Sequence, residues 1–366
     1  MIYVESLLRV LKKNNINFFV GVPDSVLKSL SNYLTKVKNH IIASNEGAAI
    51  SIATGYHLSK SKIPCVYMQN SGLGNAINPL LSVTHKNVYS IPLVLIIGWR
   101  GAPGISDEPQ HIVTGKITRQ ILKTLGIKYC VIDNKKDLMK FNQLIKFARI
   151  NKTPVACLIK NKKLTSKIKN PNKKLNNYLP NKNDVISALL HTINDKTLIV
   201  STTGYTSREL NKLRRDNKIL KGKDFYMIGG MGHTSSVSLG VSLFKKKNNI
   251  ICLDGDGSLI MHMGSLVTIG FYGKKNFKHI LLNNYSHESV GGQKTNSENV
   301  NFKKLALSVG YKNYSIINNK NNLKKKLILF QKKNGPSFLE IKIKQGSTKN
   351  LDRPKNFLKI KESFMK

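Results

Sequence analysis

The chain has 366 residues, 40% of them hydrophobic, which is enough for two domains that each bury a core. Its formal net charge is +41, but the excess is almost all lysine, with only eight arginines, spread along the chain among many asparagines. Because basic residues that bind nucleic acid cluster on one face, this spread argues against nucleic acid as a partner, although the positive field would attract anionic small molecules.

Cysteine usage and the N-terminus indicate the compartment. The cysteines lie singly in or near apolar runs, without a CxxC pair, at Cys65, Cys130, Cys157 and Cys252. They are predicted to be buried thiols of a reducing compartment, neither disulfides nor metal ligands. Residues 1–15 predict an amphipathic helix rather than a signal peptide, and the longest apolar run, 91–99, is too short to cross a bilayer. We expect a soluble cytoplasmic protein with no membrane partner.

Short apolar runs alternate with helical patterns along the whole chain. In the first half these runs are 18–22, 40–44, 65–69, 91–98, 128–132 and 154–159. In the second half they are 197–204, 225–230, 250–257, 279–284, 313–317 and 337–343. Runs that are apolar on both faces and separated by helices indicate buried parallel strands. We therefore predict an α/β fold of two domains, each a mostly parallel sheet of about six strands flanked by helices.

The segment between the halves, residues 160–184, is polar, rich in lysine and asparagine, and holds two prolines. Such a composition is typical of a linker. The predicted boundaries are 1–162 for the first domain, 163–183 for the linker and 184–366 for the second domain.

Polar residues and glycines end several of these runs, where the ligands of open parallel sheets bind. Asp256 follows the run 250–253 between two glycines, and Asn283 and Asn284 end the next run. The 25 residues between Gly257 and Asn283 have room for a crossover helix and a strand, which would bring carboxylate and amide oxygens together. The motif GDG alone fits a plain tight turn. GDG followed at this spacing by Asn283 and Asn284 predicts a Mg²⁺ site completed by a diphosphate.

This GDG…NN constellation resembles the signature of thiamine-diphosphate (ThDP) enzymes. The resemblance implies that Mg²⁺ is coordinated by the Asp256 and Asn284 side chains and by the main-chain carbonyl of Ser286. It also implies that the cofactor's diphosphate packs against backbone N–H groups at the start of the following helix. The residues expected to contact it there are Gly255, Gly257 and Ser258.

The segment SNEGAAISIATGY (44–56) resembles the pyrimidine-binding motif of the ThDP decarboxylases. By this resemblance Glu46 hydrogen-bonds to N1′ of the cofactor's aminopyrimidine and activates it. The alternative is an acidic residue that merely stabilises a helix N-terminus.

The segment GGMGHTSS (229–236) resembles a third family position. There Met231 would wedge between the two rings of the cofactor, with core packing as the alternative. A backbone carbonyl near Gly229, beside Gly230, would accept from the 4′-amino group. Gly204, in the strand-end cluster 202–207, and His287, in the loop after the metal ligands, complete the expected cofactor-binding residues.

Longer strings narrow the resemblance within the family. GVPDSVLK, QNSGLGNAINPLLS, IGWRGAPGISDEPQH and NNYSHESVGGQKT are similar to decarboxylases of 2-oxo acids that carry a phosphonate or a sulfonate. The similarity covers residues 15–345, and the WRG…DEPQH string and the continuous chain favour 3-phosphonopyruvate as the substrate. Sulfopyruvate or another 2-oxo acid is the alternative. A ThDP-binding protein without activity is the alternative from another class, and Glu46 with the full metal set argues against it.

The small anionic 2-oxo acid substrate requires cationic donors. Arg100, at the end of a predicted strand, is the candidate ligand of the phosphonate, with a structural ion pair to Asp107 or Glu108 as the alternative. Asp24 and His111 are proton-shuttle candidates, although His111 could instead cap a helix.

The family resemblance also implies how copies of the chain assemble. One chain of the family holds the pyrimidine end of ThDP and another holds the diphosphate end. We therefore expect at least a homodimer with its active sites at the interface. The loop after the metal ligands, which includes Gln293, could close over the substrate, with Gly291 and Gly292 as its hinge.

Overall fold

We analysed a computed structural model that describes residues 1–166, 178–348 and 350–366. The chain divides into two compact units. The first consists of Met1–Pro171 and Val290–Gln293, and the second of Asn172–Ser289 and Lys294–Lys366. Residues 167–177 of the predicted linker lie outside the described residues.

The first unit is built from short strands alternating with helices. Its strands are β1 (Ile2–Tyr3), β2 (Phe19–Gly21), β3 (His40–Ile42), β4 (Cys65–Gln69), β5 (Val94–Trp99), β6 (Lys128–Ile132), β7 (Val155–Lys160) and β8 (Leu164–Thr165). Its helices are α1 (Val4–Lys13), α2 (Lys28–Leu34), α3 (Glu46–Lys60), α4 (Leu73–Pro79), α5 (Pro109–Thr124) and α6 (Asp137–Asn151), with short 3₁₀ and π turns at Asn70–Gly72 and Leu80–Thr84.

Six of these strands form one parallel sheet in the order β3-β2-β4-β5-β7-β6, as predicted. Alternate residues of β5 pack into two different hydrophobic clusters, Val94 and Ile96 into one and Leu95 and Ile97 into the other. Both faces of the sheet are therefore covered, which is why β5 is apolar without alternation. β1 and β8 form a separate parallel pair.

The second unit repeats this plan. Its strands are β9 (Thr197–Ser201), β10 (Lys223–Tyr226), β11 (Asn249–Gly255), β12 (Phe277–Asn283), β13 (Ser286–His287), β14 (Gln293–Lys294, at the boundary between the units), β15 (Asn313–Ile317) and β16 (Ser337–Lys342). Its helices are α7 (Lys182–Leu190), α8 (Tyr205–Asp216), α9 (Thr234–Phe244), α10 (Asp256–Met261), α11 (Ser265–Tyr272), α12 (Phe302–Ser308), α13 (Leu323–Lys332) and α14 (Phe357–Met365), with a 3₁₀ turn at Ser297–Asn299.

The main sheet of the second unit has the order β10-β9-β11-β12-β16-β15, and all neighbours are parallel. β9, β11 and β12 are adjacent, so their carboxyl ends meet at one edge. Gly255 at the end of β11 is in register with Leu282, one residue before β12 ends at Asn283. This register brings Asp256 and Asn284 to the same edge of the sheet.

One predicted strand is shifted in the structure. The run 225–230 was expected to be a strand, but β10 covers Lys223–Tyr226 and the chain then leaves the sheet. The backbone takes positive φ values of 60° at Gly230 and 92° at Gly232, which an extended strand does not allow. The apolar residues that follow Tyr226 in this run therefore belong to a loop and not to a strand.

The four cysteines are free thiols, three of them buried and Cys130 half-buried. Among the helices of the described ranges, none combines the length and the apolar character that a membrane span requires.

Candidate active site

Glu46 is the first residue of α3, directly after the Asn45 cap, whose side chain accepts from the Ala48 N–H at 2.9 Å. Its side chain is buried, with 5% of the residue exposed, and its Oε2 accepts from Asn75 Nδ2 at 2.8 Å. A methyl group at Gly72 would collide with this carboxylate, so a glycine is required beside it. Burial raises the pKa of Glu46, and the Asn75 donor opposes the rise only in part. Such a carboxyl group is suited to sharing a proton with a ligand.

Asp24 and Arg100 come together beyond the ends of β2 and β5. Arg100 donates from Nη1 to Ser25 Oγ at 2.9 Å, and its charge acts on Asp24. Asp24 packs against Gly98, where any Cβ would collide with the Asp24 carboxylate. The two candidates therefore share one neighbourhood, which the sequence could not show.

Arg100 forms the ion pair that the sequence left open. Its Nε donates to Asp107 Oδ2 at 2.7 Å and its Nη2 donates to Asp107 Oδ1. Burial alone would raise the pKa of Asp107, but Arg100 and two backbone N–H groups hold it below its usual range. With the bond to Ser25, these contacts use three of the five guanidinium N–H groups. A role in binding substrate remains a prediction.

His111 is buried in the first turn of α5, and Glu108 is the N-cap of that helix. His111 is therefore not the cap residue of the alternative interpretation. Its role in proton transfer remains a prediction.

Asp24 is 1% exposed, and its Oδ2 accepts from the backbone N–H groups of Val26 at 3.1 Å and Leu27 at 3.0 Å. Its Oδ1 is buried without a hydrogen-bond partner among the residues that the structure describes. Burial raises the pKa of Asp24 to about 6, against the lowering effect of these N–H groups and of Arg100. Asp24 can therefore hold a proton at mildly acidic pH.

This pKa predicts a pH-dependent effect of Asp24→Asn on stability. A carboxyl group whose pKa is raised by folding stabilises the protein below its unfolded pKa, and that contribution is lost as the pH rises through about 6. From pH 4.5 to pH 8 the free energy of unfolding of the wild type should therefore fall by about 2 kcal/mol relative to Asp24→Asn.

Urea titrations at both pH values measure this difference, with the exposed Asp195→Asn as the matched control. A difference between wild type and Asp24→Asn that does not change with pH would show that Asp24 ionises normally.

Asp256 is the first residue of α10 and is 2% exposed. Its Oδ2 accepts from Thr295 Oγ1 and, at 2.8 Å, from Ser297 Oγ. Burial raises the pKa of Asp256, and the two hydroxyl groups oppose this rise. The carboxylate is thus oriented by its neighbours, and no lysine or arginine among the described residues forms an ion pair with it. A divalent cation would supply the compensating positive charge.

The other two predicted metal ligands lie beside Asp256 in one pocket, with an empty volume of about 530 Å³ that includes its open mouth. Asn284 Oδ1 accepts from the Ser286 N–H at 3.0 Å, and this turn fixes the loop. The residues that line the pocket are Lys182, Thr202, Thr203, Tyr205, Thr206, Met231, Gly255, Asp256, Gly257, Ser258, Leu282, Asn284, Ser286, His287, Glu288 and Ser289. Hard oxygen donors, hydroxyl groups and glycine backbone fit a magnesium ion with a diphosphate.

Five of the nine predicted cofactor-binding residues line this pocket: Met231, Gly255, Gly257, Ser258 and His287. Glu46 lies in the first unit, and the other three residues are only close to lining residues in sequence. Gly204 lies between the lining residues Thr203 and Tyr205, and Gly229 and Gly230 precede Met231.

Two contacts explain the small residues of the pocket. A Cβ at Gly257 would lie 2.7 Å from Cε1 of His287, so only glycine lets this histidine pack there. Ser258 accepts from Thr202 Oγ1 at 2.9 Å and from the Gly232 N–H at 3.1 Å.

Gln293 lies with Val290–Gln293 in the first unit, where its Nε2 donates to Ser31 Oγ at 2.9 Å and to Asn32 Oδ1. Gly291 and Gly292 before it have φ values of 154° and 84°. Closure of this loop over a substrate remains a prediction.

Sequence reasoning missed three residues of the pocket and its surroundings. Lys182 fell inside the predicted linker, and its only local signal was the capping box that Asn181 and Asp184 form around it. Thr295 and Ser297 belong to no recognisable motif. They reach Asp256 only because a loop brings them back from about forty residues further along the chain, and the entropy cost of closing such a loop is small.

The chain was compared with known proteins. Residues 1–125 match the thiamine pyrophosphate enzyme N-terminal TPP-binding domain, and residues 202–341 match the C-terminal TPP-binding domain. Thiamine pyrophosphate (TPP) is another name for ThDP. The fold, the pocket and these matches define a ThDP-binding protein.

Three relatives span almost the whole chain. A phosphonopyruvate decarboxylase of Streptomyces hygroscopicus is 30% identical over 97% of this chain and 91% of its own length. The phosphonopyruvate decarboxylase of Streptomyces viridochromogenes is 31% identical over 97% and 92%. A sulfopyruvate decarboxylase of Methanosarcina acetivorans is 27% identical over 94% and 92%. The chain belongs to the family of ThDP-dependent decarboxylases, and is therefore a carboxy-lyase.

Proposed function

We propose that this enzyme converts 3-phosphonopyruvate to phosphonoacetaldehyde and CO₂, using ThDP and Mg²⁺. The similarity to two full-length relatives named phosphonopyruvate decarboxylase carries the choice of substrate. Sulfopyruvate is the second candidate, supported by the relative from Methanosarcina acetivorans.

Asp256, Asn284 and the Ser286 carbonyl would hold the metal, and the glycines and hydroxyl groups of the same pocket would hold the diphosphate. When bound, ThDP supplies the electron sink that accepts the electron pair left behind as CO₂ departs. Glu46 would hold a proton at ring nitrogen N1′, a task for which its raised pKa is suited.

The carbon that loses CO₂ must gain one proton to form the aldehyde. Asp24, with a pKa of about 6 and an unpartnered Oδ1, is the proposed donor, and His111 is the second candidate.

Arg100 would orient the phosphonate with the two N–H groups that Asp107 and Ser25 leave available.

Arg100→Ala tests the phosphonate assignment. The loss of a charge partner in a partly dry site costs about 2–5 kcal/mol, so kcat/KM for phosphonopyruvate should fall by about 30- to 5,000-fold. The slow decarboxylation of pyruvate, which has no phosphonate, should change little. The ratio of the two substrates is the decisive quantity, because Arg100→Ala also leaves the buried Asp107 unpaired and lowers stability.

Arg119→Ala, which removes a cation that lies over Trp99, is the matched control and should leave the ratio unchanged. If Arg100→Ala slows both substrates equally, Arg100 serves the fold and does not bind the phosphonate.

We further propose that the enzyme self-associates, with Glu46 of one copy and Asp256 of another completing each active site. The family resemblance supports this arrangement, and Glu46 and Asp256 lie in different units of the chain, so that two copies can supply one residue each.

A further inference from the structure

Lys182 is a buried cation of the diphosphate pocket. It begins α7, only 6% of it is exposed, and it lines the same pocket as Asp256 and Asn284. Its Nζ lies 3.2 Å from Glu288 Oε2 and 5.7 Å from the ring centroid of Tyr205. Lysine is seldom buried without a partner, and Glu288 is such a partner for Lys182.

The charges that line the pocket indicate what Lys182 does. Among the described residues of the lining, Lys182 is the sole lysine or arginine. A magnesium ion and the Asp256 carboxylate together carry one positive charge, while the Glu288 carboxylate of the same lining offsets the charge of Lys182. Lys182 therefore offers a diphosphate ester a directed, charged hydrogen bond and not an excess of positive charge.

Glu288 does not use all the binding capacity of Lys182. An ammonium group has three N–H donors, and the Glu288 carboxylate is shared, because its Oε1 also accepts from the Gly346 N–H. Glu288 is thus held in place from two sides and can hold the ammonium group at the pocket wall.

We propose that Lys182 binds the diphosphate group of the ligand in this pocket and that Glu288 orients it for that contact. This inference rests on the proposed function, since it assumes the ThDP and Mg²⁺ site described above. A phosphonate-bearing substrate offers similar oxyanions, and the experiment separates these two sources.

The test measures the affinity of the full-length protein for Mg²⁺-diphosphate and for Mg²⁺-ThDP by calorimetry, without any substrate. Lys182→Met should weaken both by about ten- to a hundredfold, the usual effect of a lost charged hydrogen bond. Glu288→Gln can still accept from Gly346 but loses the contact that orients Lys182, so it should weaken binding by a smaller factor than Lys182→Met. The control Lys196→Met removes the same charge from an exposed position before β9 and should change affinity less than twofold.

Lys182→Met can also destabilise the protein, because it removes the positive charge that lies beside the buried Glu288 carboxylate. The double variant Lys182→Met/Glu288→Gln removes both charges and should show the same loss of affinity. Equal losses in Lys182→Met and Glu288→Gln would overturn the proposal in favour of a purely structural ion pair. If Lys182→Met raised the KM of phosphonopyruvate but left the affinities for Mg²⁺-diphosphate and Mg²⁺-ThDP unchanged, Lys182 would bind the substrate and the proposal would also be overturned. Failure of wild type to bind Mg²⁺-ThDP would instead contradict the proposed function.

Discussion

Glu46→Gln should lower kcat by about 10²- to 10⁴-fold, the range that a positioned proton-transfer group contributes. Glutamine keeps the size of the side chain and the contact with Asn75, but it cannot hold and release a proton at N1′. The affinity for ThDP should change little, because the lost interaction acts on the chemical step and not on binding.

Two measurements check this result: kcat at saturating ThDP, and exchange of the ThDP C2 proton with D₂O followed by NMR. Glu362→Gln, an exposed change on α14, is the matched control and should behave as wild type. Exchange at the wild-type rate in Glu46→Gln would remove Glu46 from the activation of the cofactor.

Asp256→Asn should weaken metal-dependent binding of ThDP by more than about 100-fold, since the loss of a residue that merely orients a ligand already costs 10- to 100-fold. Asparagine can still accept from Thr295 and Ser297, so the local hydrogen bonds survive while the charge is lost. Ser297→Ala removes one orienting hydroxyl group and should show the smaller loss of about 10- to 100-fold.

Calorimetric titration of ThDP at several Mg²⁺ concentrations measures this series, and circular dichroism verifies that the variants fold. Unchanged ThDP affinity in Asp256→Asn would exclude Asp256 as a metal ligand.

The same two variants test the assembly. If Glu46 of one copy works with Asp256 of another, a mixture of inactive Glu46→Gln and inactive Asp256→Asn chains regains activity, because a mixed dimer holds one intact site. Full activity of a strictly monomeric wild-type fraction would contradict this arrangement.

The strands and the residues at their ends were predictable from the sequence, because buried parallel strands are apolar on both faces and the site lies where they end. The location of Asp256 and Asn284 at one edge of the sheet was predicted in this way. Glu46 came instead from the resemblance of residues 44–56 to the pyrimidine-binding motif, and the roles of all three residues stay predictions. The partner of the Arg100 guanidinium was not predictable from the sequence. An arginine at a strand end, followed by Asp107 and Glu108, fits an ion pair and a substrate ligand equally well. Only the three-dimensional structure shows that both carboxylate oxygens of Asp107 accept from one edge of the guanidinium, from Nε and Nη2.

Lys182 was hidden for a different reason. In a chain with 60 lysines and arginines, one more lysine in a polar segment carries no signal. Its importance arises from burial and from Glu288, more than a hundred residues away. Similarly, the strand predicted at 225–230 ends early because glycine φ values, and not hydrophobicity, decide where the chain leaves the sheet.

The most direct test of the proposed function is release of CO₂ by the purified protein from phosphonopyruvate and from sulfopyruvate, with and without ThDP and Mg²⁺. We predict faster turnover of phosphonopyruvate, lost when either the cofactor or the metal is removed and restored when both return. Faster turnover of sulfopyruvate, or turnover that persists without ThDP, would contradict the proposed function.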